Sequence, residues 1–431
     1  MCGLPLIPFN NFLCFKIKIL ILISSLSFLD ENLRKLNSSS NCSDMTSVYH
    51  RISSLLRNGL TIRNYRFNFL AMSASQLREH GCWMFSPLDS RNLNADSIRK
   101  WMGNFESITN IGKYAARLGQ SLSSSIATFE TEEFEIIPDL KTNVYDASSE
   151  NTIEYCFTDG IGKISAAKAA QICANFYNNI YASAFQIRFA GFKGVLAVSP
   201  QLTHVAIQFR ESMHKFESNH KRLDVLNVAE YIPCFLNRQV IMILSALGIK
   251  DSVFSDLQDQ MLKRMSRMLF DKKTAADLIL KYYRNSFSFI ASNSSKINYT
   301  LEPFFKSLLV TIHNKQLQGM IHKSRIFVEN GRILMGCIDE TGSLKENEVF
   351  IQCSTLCLYE DSLPYFEKKI SQKYFVVKSK IAVAKNPCMH PGDVRVLTAV
   401  DVPQLKHMVD CIVFPACGKR PITSMVNEAE F

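Results

Sequence analysis

Toward its end the chain carries Lys385-Asn386-Pro387, His390-Pro391-Gly392-Asp393 and Arg395 in one proline-bounded turn, followed by an apolar strand and Gly418-Lys419-Arg420-Pro421. Prolines restrict such a turn, so its amide, imidazole and cationic groups are held as fixed donors for phosphate and ribose oxygens. A second cationic pattern lies upstream, in Asp159-Gly160-Ile161-Gly162-Lys163 and Arg188-Phe189-Ala190-Gly191-Phe192-Lys193-Gly194. Glycines beside a lysine, in a turn between strands, let backbone and ammonium approach a phosphate together. A plain surface lysine on a β-turn is the competing reading. The acids do not match these cations. Phosphoryl transfer through a pair of magnesium ions needs converging carboxylates, and no Asp-x-Asp occurs in the sequence. Asp256 and Asp259 fall on an amphipathic helical pattern, where carboxylates three apart form a solvated face. Asp393 beside Gly392 reads as a turn cap, and His390 fits either a ligand contact or a satisfied core histidine. The residues therefore provide for binding, with no catalytic acid and no metal ligand assigned.

Lys plus Arg number 49 against 39 for Asp plus Glu, a formal charge of +10. That balance suits a polyanionic partner such as nucleic acid, although many basic proteins bind none. A hydrophobic fraction of 47% with 20% charged residues belongs to a folded chain. Thirteen cysteines are scattered without a Cys-x-x-Cys unit. Only Cys353 and Cys357 are close, so a zinc site is not supported and buried thiols in a reducing compartment are expected. Nucleophile-elbow, His-Glu-x-x-His and His-Arg-Asp motifs are absent, which leaves hydrolase, metalloprotease and kinase readings without support.

The elements that must position these groups are legible in outline. Ile98, Trp101, Met102, Phe105, Ile108, Ile111, Tyr114 and Leu118 recur at helical spacing, broken at Gly103 and Gly112. Residues 128–150 read as an acidic, irregular connection. From residue 154 to 239 short β-type runs are punctuated by glycine, which suggests a small barrel rather than a doubly wound sheet. A helix is expected from Ser165, and residues 252–283 are strongly amphipathic, with a Met261, Met265, Met268 stripe that reads as core. Asn330-Gly331 is a two-residue hairpin signal between strands at 324–328 and 332–337, and further strands are expected at 349–358 and 374–384.

Several blocks in fixed order resemble one family. They are Gln76-Leu77-Arg78-Glu79-His80-Gly81-Cys82-Trp83, Lys113 to Gln120, Phe157 to Ser165, Ile187 to Ala197, Pro233-Cys234-Phe235-Leu236-Asn237-Arg238-Gln239, His322 to Arg332, and the 383–397 and 410–421 segments. Together they resemble the cellular RNA-dependent RNA polymerases of RNA silencing, and such spread is more specific than any single short motif. The resemblance implies an α+β protein with a double-psi β-barrel polymerase core and helical modules. It implies a single-stranded RNA template, ribonucleoside triphosphates, magnesium for the complete enzyme, and silencing partners of the Dicer, Argonaute or helicase kinds, with no membrane. Under it Lys193 contacts the primer end or the triphosphate, with Lys163 second and Arg188 in the same block. Lys385-Asn386 resembles a sugar-reading turn, and Arg238, His390, Arg395, Lys419 and Arg420 become candidate contacts to nucleotide or RNA backbone.

The implied division is a leader and Ser/Asn-rich linker over 1–47, a helical neck over 48–150, the first barrel over 151–360 with a helical insertion near 252–300, and the start of a second barrel over 361–431. The family's next element is an Asp-x-Asp-Gly-Asp loop, which the sequence ends without reaching. The expectation is a chain inactive alone; the alternative is a non-catalytic RNA-binding fragment or pseudogene product. The apolar run at 12–29 resembles a signal peptide, but Lys16 and Lys18 interrupt it, and its uncharged part is short against the ~20 residues that span a bilayer. An intracellular protein, nuclear or cytoplasmic, with an artefactual leader is expected.

Overall fold

The computed structural model describes residues 23–36, 45–87, 93–146, 150–175, 181–203, 206–292, 301–356 and 372–423. The chain divides into two compact units: Met1–Pro138, Gly160–Ile180 and Phe185–Val228 in the first, and Asp139–Asp159, Tyr181–Ala184 and Ala229–Phe431 in the second.

The first unit opens with an antiparallel sheet of β1 (Ile23–Ser27), β2 (Leu60–Ile62), β3 (Tyr65–Ala71) and β4 (Gly81–Phe85), in the order β1-β4-β3-β2. Helix α1 (Met45–Asn58) packs on β3, and α2 (Ala74–Arg78) follows it. Strand β1 comes from the apolar run read as a leader. Ile23 is buried with Leu70, Phe85, Ile98 and Met102, so that part of the run has a place in a core. The helical periodicity that follows divides into α3 (Ala95–Met102) and α4 (Ile111–Gln120). Asn94 and Asn110 set the two starts, their side chains accepting from Ser97 N and Lys113 N. Gly103 ends α3 where a Cβ would lie 2.6 Å from the Phe216 ring, whereas Gly112 lies inside α4 and breaks nothing.

The acidic connection is not irregular. It holds β5 (Ile126–Glu130), β6 (Glu135–Ile137) and β7 (Lys141–Asp146). Glu130, Glu132, Glu133 and Glu135 are exposed at strand ends and in the turn between them, and Glu132 pairs with Lys221 at 2.7 Å. Strand β7 forms a hairpin with β8 (Asn151–Cys156) in the second unit. The first unit's main sheet adds β9 (Ile161–Ser165), β10 (Ala184–Phe189), β11 (Phe192–Ser199), β12 (Ile207–Arg210) and β13 (Arg222–Val228). Its order is β5-β13-β10-β11-β9-β12-β6. The pairings β9/β11 and β6/β12 are parallel within an otherwise antiparallel arrangement. Phe192 and Phe189 stack on Phe209 with ring centroids 4.6 and 5.1 Å away, and Phe134 meets that group edge-on. Helix α5 (Ala166–Ala174) buries Ala169, Ile172 and Cys173 against β9 and β11.

In the second unit β14 (Pro233–Leu236) leads into α6 (Arg238–Ala246), α7 (Asp251–Met268), α8 (Lys272–Ser292) and α9 (Pro303–Lys323). The methionine stripe of α7 is core, with Met261, Met265 and Met268 packed among Ile279, Leu309 and Phe327. Asp256 and Asp259 are exposed on the same helix. The Asn330-Gly331 hairpin does not form. Strand β15 (Ile326–Arg332) runs through it and pairs with β14, the register passing from Cys234↔Val328 to Pro233↔Arg332. Residues 329–331 bulge from the ladder, and Glu329 binds Arg264 at 2.6 Å and Lys281 at 2.8 Å. A Cβ on Gly331 would lie 2.7 Å from Cys234 Cβ, so this glycine serves close strand approach at a bulge rather than a turn.

A six-stranded sheet follows: β16 (Met335–Ile338), β17 (Glu348–Leu356), β18 (Gln372–Val376), β19 (Lys380–Ala384), β20 (Val394–Ala399) and β21 (Cys411–Phe414). Its order is β16-β21-β17-β20-β19, with β18 on β17. Strands from both sides of residue 360 therefore share one sheet. Among the described residues no helix is long and apolar enough to cross a membrane. Among the described residues nine cysteines stand outside any disulfide, and six of them are buried.

Candidate functional site

The cations of the first unit are carried by strands. The turn between β10 and β11 is Ala190-Gly191, both with positive φ, and Lys193 is the second residue of β11 rather than a turn residue. Both faces of β11 are buried along its interior, and only Lys193 and Ser199 are half-exposed. The register Val195↔Ile161 and Ala197↔Lys163 puts Lys163 on the same sheet face as Lys193, because neighbours across a ladder share a face and side chains alternate along it. Four residues of strand separate Lys193 from the Ala197 position, roughly 13 Å. The two lysines therefore suit separate phosphates of a strand rather than a single one.

The glycines around these lysines answer to packing. A Cβ on Gly194 would lie 2.1 Å from Gly160 O, and one on Gly162 2.4 Å from Gln208 O. Close strand approach, not phosphate approach, requires glycine there. Arg188, opposite Asp224 across the ladder, faces a cavity of about 40 Å³ lined also by Gln120, His220 and Asp224. Its Nη1 donates to Ile187 O at 2.9 Å. Burial, and secondarily Arg117, push its guanidinium down to about 10. Burial pushes the Asp224 carboxyl up to about 6 despite Arg222 at 3.5 Å.

The cations of the second unit cluster in a turn. Between β19 and β20, Asp393 is buried and its Oδ2 accepts from Met389 N at 2.9 Å and His390 N at 3.0 Å. It is the cap expected from its place beside Gly392. His390 is exposed, and its Nδ1 accepts from Gly392 N at 2.9 Å, so it is not a core histidine. Lys385 is half-buried. Desolvation lowers its ammonium below the usual lysine value, with Asp393 opposing. Asn386 is exposed, and its Oδ1 accepts from Asn237 Nδ2 at 3.4 Å. Arg238, the next residue, donates through Nη2 to His322 O at 3.1 Å.

The structure thus brings Asn237 and Arg238 to the 385–393 turn. Asn237 has a sequence signal as an N-cap before an apolar helical run, but none for its link to Asn386, 149 positions away. Arg395 is exposed on β20 opposite Val383. Lys419 is exposed beyond β21, and Arg420 lies 5.4 Å from the Tyr155 ring centroid.

The other buried acids of the second unit are committed to donors close by. Asp339 accepts from Thr341 N and Leu344 N, both at 2.8 Å. Asp410 accepts from Ser354 N at 2.9 Å and Ser354 Oγ at 2.6 Å. Among the described residues no three His, Cys, Asp or Glu side chains are grouped to hold a metal ion. These residues do not fit a magnesium site.

Mixed parallel and antiparallel sheets carrying lysines on neighbouring strands in the first unit, and a donor-bearing turn in the second, belong to an α+β protein. The sequence matches the family described as RNA dependent RNA polymerase over residues 23–428, and the chain belongs to that family. It is 42% identical over 407 residues to RNA-dependent RNA polymerase 1 of Arabidopsis thaliana, covering 92% of this chain and 35% of that protein. It is 37% identical over 429 residues to RNA-dependent RNA polymerase 6 of the same plant, covering 94% and 34%. Against a probable RNA-dependent RNA polymerase 1 of Oryza sativa subsp. japonica the identity is 40% over 409 residues, covering 92% and 52%. The solved RNA dependent RNA polymerase QDE-1 from Thielavia terrestris matches with a TM-score of 0.67 at 17% identity, covering 93% of this chain and 47% of that one. That likeness fixes the fold as the double-psi β-barrel architecture of that polymerase. The chain spans about a third to a half of the length of these relatives.

Proposed function

We propose that this chain supplies the RNA- and nucleotide-gripping part of an RNA-dependent RNA polymerase. The complete enzyme copies single-stranded RNA into double-stranded RNA from ribonucleoside triphosphates, for small interfering RNA production in RNA silencing. The observation that carries the reading is the pair Lys163 and Lys193 on adjacent strands of a barrel sheet, within a chain that matches the family over residues 23–428. Their spacing suits a tracked polyanion, and the formal charge of +10 adds long-range attraction. Arg188, Arg238, Lys385, Asn386, His390, Arg395, Lys419 and Arg420 are secondary contacts in this reading. A first barrel region from residue 151 and the start of a second belong to this reading, with the second taken to begin before residue 360 because β16 and β17 share a sheet with the strands beyond it. Magnesium is held in this reading by carboxylates other than Asp339, Asp393 and Asp410, which accept from backbone N–H groups. The partners implied are silencing factors of the Dicer, Argonaute or helicase kinds, in the nucleus or cytoplasm.

The test uses the 431-residue chain. It should bind single-stranded RNA with a linear fall of log K against log salt, and show no template-dependent incorporation with magnesium and ribonucleotides. Binding without salt dependence would overturn the RNA reading. Incorporation above a mock preparation would show that the chain holds a carboxylate cage of its own.

A further inference from the structure

Asn237 stands between β14 and α6 with extended backbone angles, φ −135 and ψ 171, and its Oδ1 accepts from Val240 N at 2.9 Å. A backbone N–H only donates, so the Asn237 atom facing Val240 is the oxygen and its other terminal atom is the NH2 group. That NH2 lies 3.4 Å from the Asn386 side chain. An amide NH2 has no lone pair to offer, so Asn386 must turn its carbonyl oxygen toward Asn237 and its own NH2 away. Asn386 is exposed, and among the described residues its NH2 meets no acceptor. One helix cap thereby fixes the direction of a side chain 149 positions away.

We propose that Asn237 is a positioning residue that holds Asn386 as a hydrogen-bond donor toward a ribose hydroxyl oxygen of bound RNA. This rests on the RNA-binding reading above. A neutral donor suits a hydroxyl, while the adjacent Lys385 offers charge for a phosphate. His390 does not compete for the ribose through Nδ1, which accepts from Gly392 N.

The variant Asn237→Asp separates positioning from capping. Aspartate caps a helix as well as asparagine, so Val240 N keeps its acceptor. Its carboxylate, however, has no hydrogen to donate, and Asn386 must reverse to present its carbonyl outward. The full-length variant should keep the wild-type melting temperature and lose about fivefold in affinity for a single-stranded RNA. Its affinity for the DNA of the same sequence should change by less than about twofold. Asn237→Ser, a cap too short to reach Asn386, should lose the same RNA preference. Asn386→Ala should match Asn237→Asp, and the double variant should lose no more than either alone. An unchanged RNA-to-DNA ratio in Asn237→Asp, equal losses on RNA and DNA, or additive losses would overturn the proposal. A second readout needs no RNA: the Asn386 side-chain amide resonance in asparagine-labelled protein should shift in Asn237→Asp, and an unmoved resonance would also overturn it. If the wild-type chain bound RNA without a salt slope, the RNA-binding reading would fall, while this resonance would still decide the amide orientation.

Discussion

The two units place their cations by different means. In the first, Lys163, Arg188 and Lys193 stand on three neighbouring strands, and their relative positions follow from sheet register and from glycines that let strands approach. In the second, Lys385, Asn386 and His390 stand on one turn, held by a buried carboxylate and two backbone N–H groups within a few residues. A strand-borne site is rigid but depends on long-range packing, whereas a turn-borne site depends on a single local hydrogen-bonding centre. The lesson is that the same surface chemistry has a different point of failure in each unit.

The largest effect should come from the packing on which the first site depends. A Cβ on Gly191 would lie 1.7 Å from Phe216 O, at a φ of +86. Gly191→Ala should cost about 3 kcal/mol or more, read as a lower urea midpoint. Its counterpart in the second unit, Asp393→Ala, leaves Met389 N and His390 N without their acceptor and should cost about 2 kcal/mol. If Asp393→Ala proved the costlier, the turn rather than the sheet would be the more demanding scaffold.

Acid titration sharpens the contrast. Burial raises Asp224 from its ordinary 3.8 to about 6, against the opposing charge of Arg222, and the His220 ring lies 3.8 Å away. Between those values the folded chain holds a proton that the unfolded chain has released, so stability falls as pH rises through this window. The fall should be on the order of 2 kcal/mol, and Asp224→Asn should flatten it in urea titrations run from pH 4 to pH 7. A wild-type profile that rises through this window would contradict the burial account.

On binding, Lys193→Ala should reduce the magnitude of the salt slope for single-stranded RNA by about one, as should Lys163→Ala. Lys385→Ala should change it less, because buried Asp393 already offsets that charge. Equal slopes for all three variants would erase the distinction between the two sites.

The smallest effect belongs to Glu329. Hydrogen bonds from Arg264 and then Lys281 hold its carboxyl down at about 2. Its contribution is present above the unfolded value of 4.5 and is lost as pH falls through about 2, opposite in sign to Asp224. With 46% of the side chain exposed the gain should stay below about 1 kcal/mol, measurable as the difference between wild type and Glu329→Gln in acid denaturation.

What the sequence by itself determined was local or cumulative. Asp393 beside Gly392 marks a cap, Ser165 marks a helix start, the α7 methionines mark a core face, and ordered blocks mark a family. Each of these acts over a few residues or is counted along the chain, so it survives in one dimension. The tertiary structure alone decided the rest. Asn330-Gly331 favours a hairpin locally, but β15 runs through it and pairs with β14, where Cys234 stands in the way of any Cβ on Gly331. The run at 23–27 reads as a leader until β4 pairs with it. Gly194 and Gly162 look like a phosphate approach until Gly160 O and Gln208 O stand where a Cβ would be. Asn237 and Asn386 meet across 149 positions. Register, close approach and amide orientation are set by partners that only folding brings within reach, and no spacing along the chain encodes them.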